Sequence, residues 1–196
     1  SLKQQLMARY LYEHLFIGTL YFSDPGEHNR YYNLVRSRTP PGQPIDIIAT
    51  RRPYDDPGQA LFYYRLQPLR TAVLDKRHMP YALNAVRMQR WQSLFLDAHY
   101  NVTALPSYQT EDATNPFVVF RELPETARYK FMLDEAQFTV MGFIKGPVCR
   151  GQVALNVIQE RFWISFVNPN APWLEAEAQL LADADDDLIM PAGAGS

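Results

Sequence analysis

The chain has 196 residues and a formal net charge of −2, and it is 47% hydrophobic and 20% charged with a single cysteine. This apolar content excludes an intrinsically disordered chain, and one cysteine excludes a disulfide framework or a zinc site built from several thiolates. No stretch approaches the ~18 apolar residues of a membrane-spanning helix, so we expect one well-packed domain over residues 1–196 without a transmembrane segment.

The first elements in chain order are a helix and a run of strands. Apolar residues at helical spacing predict a helix over residues 2–22, ended by the turn residues Ser23, Asp24, Pro25 and Gly26. Segments rich in β-branched and aromatic residues then predict strands at 31–38, 45–50, 60–69 and 71–76. The connections between them are too short for the crossovers of a parallel sheet, so the spacing favours an antiparallel meander.

Helical spacing returns in the second half of the chain. Residues 84–99 predict a helix with Asn84 as its N-cap and with an apolar side made of Val86, Trp91, Leu94, Phe95 and Ala98. The later predictions are a polar, proline-broken loop over 100–116, helices over 124–144 and 148–161, a buried strand over 162–167, and an acidic helix with a frayed tail over 168–196. Long helices packed with a small antiparallel sheet, made of residues about 30–78 and 162–167, give an α+β fold class.

The small net charge conceals an uneven distribution. Residues 28–90 contain eleven Lys or Arg and four acids, whereas residues 162–196 contain six acids and no Lys or Arg. An arginine-rich face suits phosphate groups, although arginines on strands also serve only to solvate an outer face. Arg51 and Arg52 are candidates for binding a lipid headgroup, with ion pairing to two aspartates of the same turn as the alternative. The slightly negative overall charge argues against nucleic-acid binding.

The four histidines are candidates for chemistry. No two of them have the H-x-x-x-H spacing of a metal site, so no metal is predicted. His14 lies within the first predicted helix, where a histidine serves as a proton shuttle or cofactor ligand, or is a satisfied core residue. His78 comes just before Met79, where a strand leaves the sheet, and this position can line a cleft.

Cys149 is the most plausible reactive side chain of the sequence. It lies between Gly146 and Gly151 and next to Arg150, and the start of the following predicted helix would lower the pKa of its thiol. Cys149 and Arg150 are therefore catalytic candidates, and a thiol-dependent enzyme is one hypothesis for function. The alternative is a small buried side chain at the entry to a helix.

Several long strings of the sequence carry a family resemblance. They are residues 8–16 (ARYLYEHLF), 35–42 (VRSRTPPG), 48–57 (IATRRPYDDP) and 146–152 (GPVCRGQ), with Phe162 and Trp163 downstream. From about Met7 to Val167, the chain resembles the fatty acid cis/trans isomerases of Gram-negative bacteria. Strings of this length are too specific for chance agreement.

The resemblance implies a periplasmic enzyme with a c-type haem. Such enzymes convert cis unsaturated acyl chains of membrane phospholipids to the trans form, without moving the double bond, during adaptation of the membrane to stress. The expected partners are phospholipid acyl chains or free unsaturated fatty acids, with peripheral contact to the membrane. The haem iron is thought to draw electron density from the double bond, and His14, His78 and Met79 are then candidates for its second axial ligand.

The family's haem attachment motif, C-x-x-C-H, does not occur in this sequence. Two thioether bonds need two cysteines and the chain has one, so it cannot hold a c-type haem in this way. We expect an internal part of a larger isomerase; the alternatives are a homologue that has lost the haem and a relationship confined to this domain. A non-catalytic lipid- or protein-binding module of the cell envelope is a separate hypothesis.

Overall fold

The computed structural model describes residues 1–26, 30–69 and 79–139, together with 166, 168–170, 172 and 179. The predicted strand at 71–76, the helix at 148–161, the strand at 162–167 except for residue 166, and most of the C-terminal segment lie outside these residues. Within the described ranges, no helix has the length and apolar character needed to cross a bilayer.

Helix α1 (Leu2–Leu15) begins at a capping box. The Ser1 hydroxyl oxygen accepts a hydrogen bond from the Gln4 backbone N–H, and the Gln4 side-chain oxygen accepts one from the Ser1 amino group. These reciprocal bonds satisfy donors that the first turn of a helix leaves without intrahelical partners. The start of the predicted helix is therefore confirmed.

The end of α1 differs from the prediction. The helix ends at Leu15 with Phe16 as its C-cap, and the chain then passes through Gly18, where a Cβ would lie 3.1 Å from Phe138 Cζ and 3.2 Å from the Leu15 carbonyl oxygen. Strand β1 (Thr19–Phe22) follows, and its threonine and aromatic residues favour extended structure. The helix predicted over residues 2–22 is thus wrong for its last part, because apolar spacing alone does not separate the end of a helix from a short strand.

One mixed sheet contains β1 together with β2 (Tyr31–Ser37), β3 (Tyr63–Pro68) and β4 (Pro80–Leu83), in the order β3-β2-β1-β4. Strand β2 is antiparallel to both β1 and β3, whereas β1 and β4 are parallel. The predicted α+β class is confirmed. The sheet is mixed rather than wholly antiparallel because residues 19–22, predicted as helix, supply the strand that pairs with β4.

Residues 45–50 do not form the predicted strand. A single bridge joins Ile47 to Ser37, flanked by hydrogen bonds of 2.8 Å from Arg38 N to Asp46 O and from Ile48 N to Arg36 O. This segment lies beside the end of β2 that extends past β1. The backbone groups of β2 therefore find partners there without a full strand.

Helix α2 (Ala85–Phe95) has the predicted N-cap, since the Asn84 side chain accepts a hydrogen bond from the Arg87 backbone N–H at 2.8 Å. Trp91 and Leu94 are buried as predicted. Val86 is 76% exposed, contrary to the prediction, because it lies about 140° around the helix from Trp91.

Three further helices follow: α3 (Thr110–Ala113), α4 (Pro116–Val119) and α5 (Glu125–Asp134). Helix α3 lies within the loop predicted for 100–116. Helix α5 ends in a turn at Glu135, after which residues 136–139 are again helical. The long helix predicted from 124 to 144 is therefore interrupted at Glu135.

The core lies between one face of the sheet and the helices. Strand alternation places Leu20, Leu34, Leu66 and Tyr81 on this inner face. Beside it is an aromatic cluster, in which the Tyr10 ring lies between 4.8 and 5.3 Å from the ring centroids of Phe95, Phe120 and Phe131.

Candidate functional site

An apolar cavity of about 460 Å³ lies between the inner face of the sheet, helix α1 and the start of helix α2. Ligand pockets have volumes of roughly 300–1,000 Å³, so this one is large enough for a small molecule. Its walls are mainly aliphatic and aromatic side chains, namely Ala8, Leu11, Leu15, Leu20, Phe22, Leu34, Tyr64, Leu66, Leu83, Met88 and Trp91.

The floor of the cavity follows from strand alternation. Leu34 and Leu66 are directly opposite each other on β2 and β3, and both are only partly buried although they belong to the core face. Helix α1 covers them with residues one turn apart, among which Ala8 contributes a single methyl group. A small residue on the covering helix thus leaves space above a complete apolar sheet face.

The cavity is elongated along the strands. Leu20 pairs with Tyr32, and Tyr64 pairs with Arg36 four residues further along β2. Phe22 lies two residues beyond Leu20 on β1, on the side away from Tyr64. Phe22 and Tyr64 are therefore about six residues, or ~20 Å, apart along the strand axis. The lining also includes residues of all four strands, from Leu66 on β3 to Leu83 on β4, so it extends ~14 Å across the sheet.

The polar side chains of the lining lie together at the start of α2. Asp24 accepts a hydrogen bond from the Ala85 backbone N–H at 2.9 Å, and the Asn84 side-chain amide donates to the Ser23 hydroxyl at 3.1 Å. Arg87 donates from Nη1 to the Ala82 carbonyl at 2.7 Å. The cavity therefore has one polar end, at these residues, and an apolar remainder that ends at Tyr64.

A buried acid lies behind Arg87. Tyr81 donates a hydrogen bond of 2.6 Å to Glu135 Oε1, and Arg87 Nε is 3.7 Å from the same oxygen. The Arg87 guanidinium also lies over the Tyr81 ring, at 4.1 Å from its centroid. Burial raises the pKa of Glu135 above its ordinary value, against the opposing effects of the Tyr81 hydrogen bond and of Arg87. These contacts fix the guanidinium at the cavity entrance.

A second polar cluster lies behind Tyr64 at the other end. The Tyr64 hydroxyl is 3.4 Å from that of Tyr108, over whose ring the Arg9 guanidinium lies at 3.7 Å. Arg9 Nε pairs with Glu13 at 2.8 Å, and burial raises the pKa of that carboxyl. Arg36, directly across from Tyr64 and 1% exposed, donates from Nη1 to the Asp55 carbonyl at 2.8 Å.

The sequence-predicted residues His14 and Met79 lie elsewhere. His14 is in the last turn of α1, with Nδ1 2.8 Å from the Tyr10 carbonyl oxygen and its ring packed against Tyr10 and Phe131. Burial lowers the pKa of His14. Met79 is buried, has a φ of 55° and accepts a hydrogen bond from the Thr19 backbone N–H at 3.0 Å. Neither residue lines the cavity.

The other predicted residues are distributed as follows. Arg51 is exposed, whereas Arg52 is held within its own turn, with its backbone N–H 2.8 Å from Asp55 Oδ2 and its Nη1 3.8 Å from Oδ1. Neither arginine lines the cavity. His78, Cys149 and Arg150 lie outside the described residues.

Sequence reasoning missed the residues that shape this site. Arg87, Tyr64 and Glu135 carry no motif, and residue 135 was placed inside a continuous helix. The available signal was the Asn84 N-cap, which places Arg87 in the first turn of α2 and so next to the end of β4.

Comparison with known proteins identifies one family. The family model described as fatty acid cis/trans isomerase matches residues 1–196, the whole chain. Neither the curated proteins nor the solved structures contain a match.

Proposed function

Because the chain belongs to the fatty acid cis/trans isomerase family, we propose that it binds the cis-unsaturated acyl chain of the substrate in its apolar cavity. The observation that carries this proposal is the apolar cavity whose polar side chains lie together at one end. An acyl chain spans one leaflet of a bilayer, which is about half of the ~30 Å hydrocarbon core. A cavity whose lining extends ~20 Å along the strands is thus long enough for such a chain.

The chemistry of the reaction suits an apolar site. Isomerisation in place changes only the torsion about the double bond. The product therefore has the same atoms and the same number of electrons as the substrate. The site therefore has no need of a proton relay along the chain, and apolar walls that exclude water and align the chain are sufficient for binding. The titratable groups of the lining are confined to the two ends.

The family resemblance also supports a haem-dependent reaction on phospholipid acyl chains or free fatty acids at the periplasmic membrane surface. His14 and Met79 do not line this cavity and the single cysteine cannot form two thioether bonds, so the cavity does not fit a c-type haem. We therefore assign acyl-chain binding to the cavity and propose that the haem of the reaction is held elsewhere. The same observation favours a second candidate, a non-catalytic lipid-binding module.

Calorimetric titration of the full chain with a cis-unsaturated fatty acid tests the binding role. We expect binding with a negative heat-capacity change, because apolar surface is buried. Ala8→Phe fills the cavity and should abolish binding, whereas the matched Ala60→Phe, at an exposed position, should not. Absence of binding to the wild type at high micromolar ligand, or equal binding by Ala8→Phe, would contradict the proposal.

An activity assay separates the isomerase from the binding module. The full chain, with and without added haem, is incubated with cis-unsaturated phospholipid vesicles or free fatty acid, and the trans product is quantified by gas chromatography. Product that disappears in Ala8→Phe supports the isomerase. Binding without product under every condition supports the module.

A further inference from the structure

We propose that the cavity binds an acyl chain in one orientation, with an anionic end group at Arg87 and the methyl end against Tyr64. This inference rests on the proposed function, since it specifies how the same cavity takes its ligand. The anionic group is a carboxylate of a free fatty acid or a phosphodiester of a phospholipid, and both present oxygens that suit a guanidinium.

Arg87 is the one cation among the described residues that line the cavity. Its contacts to Ala82, Glu135 and the Tyr81 ring hold the guanidinium in place at the polar end. Its Nη2 makes no hydrogen bond within the described part of the chain and is therefore free to donate to a ligand. The side chain is 29% exposed, so an anion reaches it without entering the apolar core.

The position of Arg87 in its helix points to the same role. It is the third residue of α2, next to the positive end of the helix dipole, where a cation is unfavourable. Helix stability therefore does not account for an arginine at this position. The Ala85 and Arg87 N–H groups already have Asp24 and Asn84 as acceptors, so an anion bound there would interact with the guanidinium.

Tyr64 lines the end of the cavity that is farthest from Arg87 along the strands. Its ring packs on Tyr12 with centroids 5.0 Å apart and on Phe62 at 5.4 Å, and its hydroxyl is held near that of Tyr108. A side chain fixed on three sides does not yield to a longer ligand. The distance from Arg87 to Tyr64 therefore sets how many methylenes can be buried.

The opposite orientation, with the anionic group at the Tyr64 end, has less support. Arg9 and Arg36 lie behind that end, and each has one buried nitrogen without a hydrogen bond among the described residues. Neither arginine lines the cavity, whereas Arg87 does. An anion in the cavity therefore meets Arg87 before it meets either of them.

The first test measures the end group. Wild type, Arg87→Gln and the control Arg90→Gln are titrated with a cis-unsaturated fatty acid, the corresponding fatty alcohol and a lysophospholipid. Arg90 is on the same helix, pairs with Asp134 and does not line the cavity. Loss of one charge-assisted contact weakens binding by about tenfold. We expect this loss in Arg87→Gln for the anionic ligands alone, and no change in Arg90→Gln.

The ligand that responds identifies the source of the anion. An effect on the fatty acid but not on the lysophospholipid indicates a carboxylate, and an effect on the lysophospholipid indicates a phosphodiester. If Arg87 had only a structural role, Arg87→Gln would bind both the alcohol and the acid more weakly, and to the same extent. Equal losses for acid and alcohol, or no loss, would overturn Arg87 as the anchor.

The second test measures chain length. Affinity for a homologous series of cis-unsaturated fatty acids should rise by about fourfold for each added methylene and stop rising when the chain reaches Tyr64. Tyr64→Ala should move this limit to longer chains and Tyr64→Phe should leave it unchanged. Tyr63→Ala, on the opposite face of β3, is the control and should not move it.

Failure of this inference is distinct from failure of the proposed function. If the wild type binds no acyl ligand, the cavity is not an acyl-chain site, and both the proposed function and the proposed orientation are wrong. If it binds acyl ligands but the limit stays the same in Tyr64→Ala, only the orientation is wrong. If Tyr63→Ala shifts the chain-length limit as well, the shift comes from a general change in β3, and Tyr64 does not set the limit.

Discussion

At the scale of single residues, His14 illustrates how burial sets the behaviour of an ionisable group. Its Nδ1 faces the Tyr10 carbonyl at 2.8 Å, and its ring lies 5.5 Å from that of Phe131 and 6.4 Å from that of Phe120. These neighbours offer no carboxylate to a charged imidazole. Burial therefore lowers the pKa of His14 below 6.5, despite the opposing carbonyl contact.

This shift predicts a pH dependence of stability. The folded state holds His14 neutral while the unfolded state takes up a proton below pH 6.5, so stability is complete above that pH and is lost as the pH falls through the lowered folded pKa. Urea unfolding from about pH 8 to about pH 5 should show a decline in the wild type that is smaller in His14→Gln. Parallel curves for the two proteins would contradict this account.

The residues of the site were only partly predictable. Asn84 was recognised because an N-cap has a local signature, a short polar side chain just before an apolar helical pattern. Arg87 and Glu135 were not, because their roles depend on a contact between α2 and the end of α5 that no local pattern specifies. Tyr81 likewise shows only strand character in the sequence, although its hydroxyl holds a buried carboxylate.

At the scale of elements, the junction between β4 and α2 positions the polar end of the cavity. Asn84 caps the helix through the Arg87 N–H and also donates to the Ser23 hydroxyl, which follows β1. Asp24 accepts a hydrogen bond from the Ala85 N–H. The start of α2 is thus tied to the chain leaving β1, which fixes the cavity entrance.

Removal of the cap should loosen this junction. Asn84→Ala deletes the acceptor for the helix N–H and should lower the free energy of unfolding by about 1 kcal/mol. Asn84→Asp retains an oxygen acceptor and should recover most of that loss. Chemical denaturation of the three proteins measures the difference. An alanine variant as stable as the wild type would show that the cap contributes little here.

The sheet was less predictable than the helices. Strands β2 and β3 have the expected alternation and were assigned nearly correctly, but β1 is only four residues long and directly follows a helix with similar composition. Residues 80–83, which form β4, were not predicted as a strand either, so both partners of the parallel pair were missed. The mixed topology therefore could not be predicted.

At the scale of the whole molecule, the cavity is space that the core leaves unfilled. A sequence pattern can indicate which residues face inward, and it did so for Trp91, Leu94 and Phe95. It cannot show that Ala8, Leu34 and Leu66 line a common space of about 460 Å³. An apolar surface of this size that is left without a packing partner is unfavourable in water until a ligand covers it.

This cost predicts opposite effects of one substitution on stability and on binding. Ala8→Phe should raise the free energy of unfolding of the ligand-free protein by roughly 0.5–2 kcal/mol, because it fills the cavity. A saturating cis-unsaturated fatty acid, at about 100 times its Kd, should stabilise the wild type by about 2.7 kcal/mol. It should leave Ala8→Phe unchanged, since the space is occupied.

Thermal and urea unfolding of both proteins, each with and without the fatty acid, measure these four stabilities, and Ala60→Phe serves as the control. If Ala8→Phe is less stable than the wild type but still responds to the ligand, the phenyl ring lies outside the cavity. If the ligand stabilises neither protein, the space is not an acyl-chain site. The expected result, a more stable variant that no longer responds, would show that the molecule gives up packing in order to bind its ligand.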